Sequence, residues 1–374
     1  MPNIIPGSTM TDRSDTARAW ADVDLGALQS NARTIAAVCG SRLLPMVKAN
    51  GYGLGAVEVT QALESLDPWG YGVASVDEGI GLRAAGVRRP ILVFSPLDPV
   101  HLELYLTHEL RPTVCDPGAL GGWCASTVRP FHIEIDTGMS RTGVRWDDRA
   151  ALAAIRDRVA AAPGWEGVFT HFHSAETDPA SLSQQWERFH AVLAAMPRRP
   201  GLVHAANSAA ALRGHAYAAD LVRPGIFLYG GAAGERLPEQ VVSLRARVIG
   251  VRRLAAGDTV SYGATWRAER PTTIATLAIG YADGLLRADL GTPGSPARPP
   301  RRIQLGDRTV PLVGRVTMDM CMIVVDDGAV AVGDIATIYG GLVSLDDQAK
   351  AAGTISYELL TALGPRVPRR YRRG

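Results

Sequence analysis

Lys48 stands at the end of an apolar run, Leu43-Leu44-Pro45-Met46-Val47, and is followed at once by Ala49-Asn50-Gly51-Tyr52-Gly53-Leu54-Gly55. A lysine amine is a hydrated cation in water and a nucleophile when desolvated, so its use depends on where that strand end lies. The bland reading is a solvated charge capping a strand. Other reactive side chains recur in the same kind of position: Asp136 and Arg141 after one apolar run, His171 after the next, then Asn207 with Ser208, then Arg223 with Gly225.

The elements that must carry these groups alternate. Strands are expected from Leu43 to Val47, Gly70 to Ala74, Pro90 to Phe94, Arg111 to Cys115, Phe131 to Ile135, Gly167 to Thr170, Leu202 to Ala205 and Leu221 to Leu228. Helical patterns fill the gaps, several opening on Asp-Pro pairs (Asp98-Pro99, Asp116-Pro117, Asp178-Pro179) that place a capping side chain before a proline. Eight βα repeats point to a closed parallel (β/α)8 barrel, whose catalytic rim is at the strand C-termini. An open doubly wound sheet is the alternative, but no GxGxxG follows the first strand. The loops after the seventh and eighth strands often bind phosphate in such barrels, and Asn207-Ser208 opening a helix supplies donors for one. A phosphate at one end with an amine across the mouth fits pyridoxal phosphate.

From about Val241 the texture changes to short β-rich runs parted by turn signals such as Ala256-Gly257-Asp258, which reads as a mainly antiparallel β domain. The expected division is therefore a disordered leader (1–16), a barrel (17–240) and a C-terminal β domain (241–374). Leu290 to Arg302 reads as an exposed loop and the basic end, Arg366 to Arg373, as a solvated tail.

With 374 residues, 47% of them hydrophobic, the chain can bury cores for two domains, and a net charge of +2 lacks the footprint of a nucleic-acid binder. Cys39, Cys115, Cys124 and Cys321 form no CxxC pair, so reduced thiols in a cytoplasmic protein and no metal site are expected. No run approaches the roughly 20 apolar residues that cross a bilayer.

The order of the motifs narrows the reading further. The chain carries, besides the lysine segment, Asp136-Thr137-Gly138-Met139-Ser140-Arg141, Thr170-His171-Phe172, Ala206-Asn207-Ser208-Ala209, Val222-Arg223-Pro224-Gly225-Ile226, Ser261-Tyr262-Gly263-Ala264, Gly280-Tyr281-Ala282-Asp283-Gly284, Met318-Asp319-Met320 and Ser356-Tyr357-Glu358. This series resembles the alanine racemase family, of pyridoxal-phosphate fold type III. The resemblance implies a barrel followed by a β domain, racemisation of alanine to supply D-alanine for peptidoglycan, and a homodimer with composite sites. It also implies that Lys48 forms a Schiff base with the cofactor and acts as base on one face, with Tyr262 on the other. By the same resemblance, Tyr52, Asn207, Ser208, Gly225, Ile226 and Tyr357 hold the phosphate, Arg223 meets the pyridine nitrogen and His171 neighbours Tyr262. Arg141 and the backbone of Met318 orient substrate, Tyr281 and Tyr357 narrow the entry, and Asp319 is a supporting residue. Some relatives place a carbamylated lysine where this chain has Glu134, which is expected to pair with Arg141. A broad-specificity or serine racemase, a decarboxylating barrel relative and a non-catalytic cofactor carrier are the alternatives; Arg223 and Tyr262 speak against the second and the β domain against the third.

Overall fold

The computed structural model describes residues 16–288 and 299–373, so the expected leader lies outside the described residues up to position 15, as does 290–298 of the expected loop. The chain divides into two compact units, one spanning Gly26–Glu239 and the other formed by the segments before and after it.

In the first unit eight parallel strands follow the order Arg42–Leu43, Leu221–Val222, Leu202–His204, Trp165–Phe169, Phe131–Asp136, Arg111–Val114, Ile91–Pro96, Tyr71–Val73. The ring closes because the chain beyond Leu43 turns to the opposite edge. Met46 bridges Gly72, Val47 N–H donates to Gly72 O at 2.8 Å and Gly72 N–H to Pro45 O at 2.9 Å. The expected parallel barrel is therefore what forms. Several of its strands are shorter than the expected runs. The last stops at Val222, because Pro224 has no N–H to give a neighbour, and Ile226–Tyr229 winds into a 3₁₀ turn. Asp98, Asp116 and Asp178 cap as expected, accepting from Val100, Ala119 and Ser181 N–H at 2.8–3.0 Å. Leu44, Trp69, Leu92 and Leu221 pack together inside, yet Thr113, His132, Glu134, Thr170, His204 and Arg223 are buried in the same unit. Buried polar groups must find partners, so they form a network.

The second unit is built on Val242–Leu254, which pairs antiparallel with Ala19–Asp24, Thr272–Leu277 and Ile335–Tyr339. Thr272–Leu277 continues through Cys321–Val325, Arg308–Val313 and Arg302–Leu305 back to Ile335–Tyr339, closing an antiparallel ring. Three expectations are corrected here. Ala19–Asp24, inside the span expected for the barrel (17–240), is a strand of this sheet instead. The basic end is not a loose tail, since Arg369–Arg372 adds a parallel strand beside Ala19–Asp24. At the end of the expected loop, Arg301 is fully buried and Arg302 opens a strand, its backbone pairing with Arg308–Val313. Helices Leu345–Ala352 and Ser356–Thr361 complete the unit. Among the described residues no helix is long and apolar enough to cross a membrane.

One charge organises this unit. The wholly buried Asp283 carboxylate accepts two bonds from Arg18 at 2.9 Å, one from Arg366 Nε at 3.0 Å and one from Gly280 N–H at 2.9 Å. Both arginines also reach Asp319. Removing the carboxylate leaves two half-exposed cations that water can reclaim, so Asp283→Ala should cost about 3 kcal/mol, the lower end for a broken buried pair. Urea unfolding of the variant checks this, and a loss below about 1 kcal/mol would reduce the cluster to a surface ion pair.

Candidate active site

Lys48 begins a turn of unusual hand. Ala49, Asn50, Gly51 and Tyr52 all have φ between 52° and 62°, one turn of left-handed helix that includes three residues with a Cβ. Each L-residue held there costs roughly 1–2 kcal/mol, so the surroundings must fix the turn. The Glu78 carboxylate does so from the next helix, accepting from Ala49 N–H at 2.6 Å and from Ala74 N–H at 2.7 Å. Asn50 Oδ1 accepts from Ala56 N–H at 3.0 Å, and Gly55 N–H closes back on Asn50 O at 2.8 Å. Among the described residues the Lys48 amine forms no ion pair. Burial, with Arg141 and Arg223 nearby, pushes its pKa below the ordinary lysine value, and Glu78 opposes the shift.

Tyr52, the last residue of the turn, stacks on Tyr229 with ring centres 4.4 Å apart, and Tyr229 Oη–H donates to Met46 O at 2.8 Å. The Tyr52 hydroxyl is thereby brought against Gly225, where an added Cβ would meet it at 2.2 Å. Gly225 N–H donates to Ser208 Oγ at 2.9 Å, and Asn207 caps the short helix Ser208–Ala211 by accepting from Ala210 N–H at 3.0 Å. Ile226 follows, buried. A phenol, a serine hydroxyl and a glycine backbone with no room for a side chain converge here, a grouping of hydroxyl donors suited to an anion.

Arg223 is 3% exposed and held on several sides. Its Nη2 donates to Thr170 O at 2.7 Å and Ala205 O at 2.9 Å and lies 3.2 Å from His171 Nδ1, while Nη1 lies 2.9 Å from His204 Nδ1. A guanidinium only donates, so both imidazole Nδ1 atoms accept, and each neutral ring carries its proton on Nε2. Burial and the neighbouring Arg223, Arg141 and Lys48 charges lower the His171 pKa to about 3, which keeps it neutral at ordinary pH. Burial also lowers Arg223, to about 9, leaving it cationic at pH 7.

Arg141 follows a loop that Asp136 organises by accepting from Gly138 and Ser140 N–H at 2.9 and 3.0 Å. The guanidinium is exposed. Glu134 does not hold it: no ion pair within 4 Å joins them, and the buried Glu134 carboxylate accepts from Thr142 Oγ1 at 2.8 Å and Cys115 Sγ at 3.4 Å. As an inward residue of a barrel strand, Glu134 lies below the loop that carries Arg141. Its charge bears on Arg223 instead, raising that group's pKa against burial.

The second unit carries the remaining predicted residues. Tyr262 is 68% exposed in a tight turn fixed by Ser261, whose Oγ donates to Arg315 O at 2.6 Å. With Met318 and Asp319 it lines an open hollow of about 850 Å³. Tyr281 and Ala282 donate their N–H groups to Thr317 O and Met318 O, each at 3.0 Å, so the Tyr281 turn and the Met318-Asp319 turn are one assembly under Asp283. Tyr357 lies in the Ser356–Thr361 helix. Sequence reasoning passed over Glu78, His132 and His204. The available signal was a polar residue in an otherwise apolar strand, and for Glu78 its place three residues after Ser75, whose Oγ accepts from Glu78 N–H.

The family profile described as "Alanine racemase, N-terminal domain" matches residues 23–233, and "Alanine racemase, C-terminal domain" matches 241–371. An alanine racemase from Chlorobaculum tepidum is 37% identical over 370 residues, covering 93% of this chain and 94% of that protein. The crystal structure of alanine racemase from E. faecalis superposes with a TM-score of 0.85 at 33% identity, covering 96% of this chain and 99% of that one. A Bartonella henselae alanine racemase with covalently bound pyridoxal phosphate gives a TM-score of 0.86 at 28% identity, covering 95% and 100%.

Glu78→Ala removes two charge-assisted bonds, one to Ala49 N–H in the left-handed turn and one to Ala74 N–H beside it, and should cost about 1.5–3 kcal/mol. Faster amide exchange at 49–53 than in Glu78→Gln, read by hydrogen exchange mass spectrometry, is the expected local sign; unchanged exchange would leave the turn's conformation unexplained by Glu78.

Proposed function

This chain belongs to the alanine racemase family, and we propose that it interconverts L- and D-alanine with Lys48 and Tyr262 as bases on opposite faces of the substrate. The observation that carries the reading is the Lys48 amine, its cation disfavoured by burial and free of ion pairs among the described residues, in the same unit as the Tyr52, Ser208 and Gly225 cluster and the buried Arg223. These residues fit pyridoxal 5'-phosphate. The cluster would take its phosphate, with Asn207 and Ile226 beside it, Lys48 would hold it covalently, and Arg223 would face its ring nitrogen. When bound, the cofactor supplies an electron sink that acidifies the α-C–H of an amino acid.

The residues divide the rest of the work. Tyr262 takes the α-proton of L-alanine on one face and Lys48 returns one on the other, yielding D-alanine; the reverse direction exchanges their roles. A phenol ordinarily ionises near 10, so it needs a donor to act as base at neutral pH. His171 can serve, because its Nδ1 accepts from Arg223 and its Nε2–H is left to donate. Arg141 and the Met318 backbone orient the carboxylate, and Tyr281 narrows the entry, with Asp319 in support. Glu134 supports Arg223 electrostatically rather than pairing with Arg141.

Tyr262, Met318, Met320 and Tyr281 form an exposed, largely apolar group on the second unit. Such a group favours cover by a partner. The proposed assembly is a homodimer in which Tyr262 of the partner subunit completes each barrel mouth, working in the cytoplasm to supply D-alanine for peptidoglycan. An active species that stays monomeric at assay concentration would sink this arrangement.

Incubation with L-alanine and with L-serine in deuterated water should invert alanine and place deuterium at its α-carbon; inversion of serine at a similar rate would favour the broad-specificity reading, and inversion of neither would end the proposal. Lys48→Ala should lose the visible absorbance of bound cofactor, whereas Tyr262→Phe should keep it and lose racemisation. In cofactor-free protein, Lys48 should be acylated with a midpoint below the ordinary lysine value of about 10.4, because burial disfavours its cation.

A further inference from the structure

Behind Arg223 a polar line runs down through the barrel. His204 Nε2 lies 2.8 Å from His132 Nδ1, His132 Nε2 lies 3.2 Å from Glu166 Oε2, and Arg111 Nε donates to the same Glu166 oxygen at 3.0 Å. The direction of every bond follows from its ends. Arg223 can only donate, so His204 carries its proton on Nε2 and gives it to His132 Nδ1; His132 then carries its own on Nε2 and gives it to the carboxylate. Both imidazoles are fully buried and burial disfavours their protonation, which would also set two N–H groups against each other. Arg223 forms no ion pair among the described residues, and Glu166 is the anion at the far end of its hydrogen-bond chain.

The packing is built around this line. A Cβ at Gly167 would fall 2.4 Å from His132 Nδ1, so only glycine leaves the ring its place. Phe169 stacks on His204 with centres 4.9 Å apart and planes 19° apart, which fixes the second ring. We propose that Glu166, at the start of its strand and remote from the rim, is a positioning residue for Arg223: through His132 and His204 it holds the guanidinium in the one orientation that the reaction uses. The proposal rests on the reading that Arg223 faces the cofactor.

The test is ¹⁵N NMR of histidine-labelled holoenzyme, combined with kinetics, for the wild type, Glu166→Gln, Glu166→Ala and Gly167→Ala. Wild type and Glu166→Gln, which keeps an acceptor, should show His132 and His204 as single Nε2–H tautomers. Glu166→Ala and Gly167→Ala should lose the single tautomer at His204, with kcat falling about tenfold, KM for alanine nearly unchanged and cofactor still bound, while Glu166→Gln recovers most of the rate. An unmoved His204 tautomer in Glu166→Ala, or equal rate losses in the Gln and Ala variants, overturns the relay. A shifted tautomer with unchanged kcat also overturns the proposal, by removing Arg223 from the reaction rather than Glu166 from the chain.

Discussion

The barrel is organised around a buried cation. Placing the Arg223 guanidinium inside it, with no ion pair among the described residues, demands that the interior supply acceptors, and several neighbouring strands answer with Thr170 O, Ala205 O and the Nδ1 atoms of His171 and His204. A charge in a low-dielectric interior is costly unless satisfied. The two imidazoles that meet it, His171 and His204, therefore answer to that one arginine. Its donor-only character propagates outward, setting the His171 tautomer on the rim side and the His204 tautomer on the other.

Lys48 shows the opposite strategy. Its neighbourhood is strained in backbone rather than burdened in charge, since three non-glycine residues after it are held left-handed. The strain is offset by Glu78, by the Asn50 side chain and by the Tyr52–Tyr229 stack. The same turn that directs the lysine also delivers the Tyr52 hydroxyl to Gly225. Amine and hydroxyl cluster are thus spaced by one short stretch of chain, and a right-handed continuation would separate them.

Much of this was legible in sequence because a barrel converts alternation into position: residues just past each apolar run, Lys48, Arg141, His171, Ser208 and Arg223, belong to one rim once eight strands are recognised. Contacts perpendicular to the strands were not. His132 and His204 are 72 positions apart and meet only because the Trp165–Phe169 strand lies between theirs with a glycine at the crossing. Glu134 misled for a related reason, since proximity in sequence to Arg141 says nothing of inward or outward direction along the pleat. Strand lengths were overestimated at Leu221 to Leu228, where the apolar run outlasts the hydrogen-bond ladder at Pro224. The ordering of the basic C-terminus was invisible, because its pairing partner is 348 residues away at Ala21.

That last pairing bears on the order in which the protein can be made. The second unit needs Ala19–Asp24 between Val242–Leu254 and Arg369–Arg372, so its sheet includes almost the first and almost the last described residues. During synthesis the barrel segment is complete by Glu239 and the antiparallel ring by Tyr339, whereas Ala19–Asp24 gains its second neighbour only once Arg372 has left the ribosome. Until Val242–Leu254 is made the Ala19–Asp24 strand has both edges open, and one of them stays open until the last strand arrives.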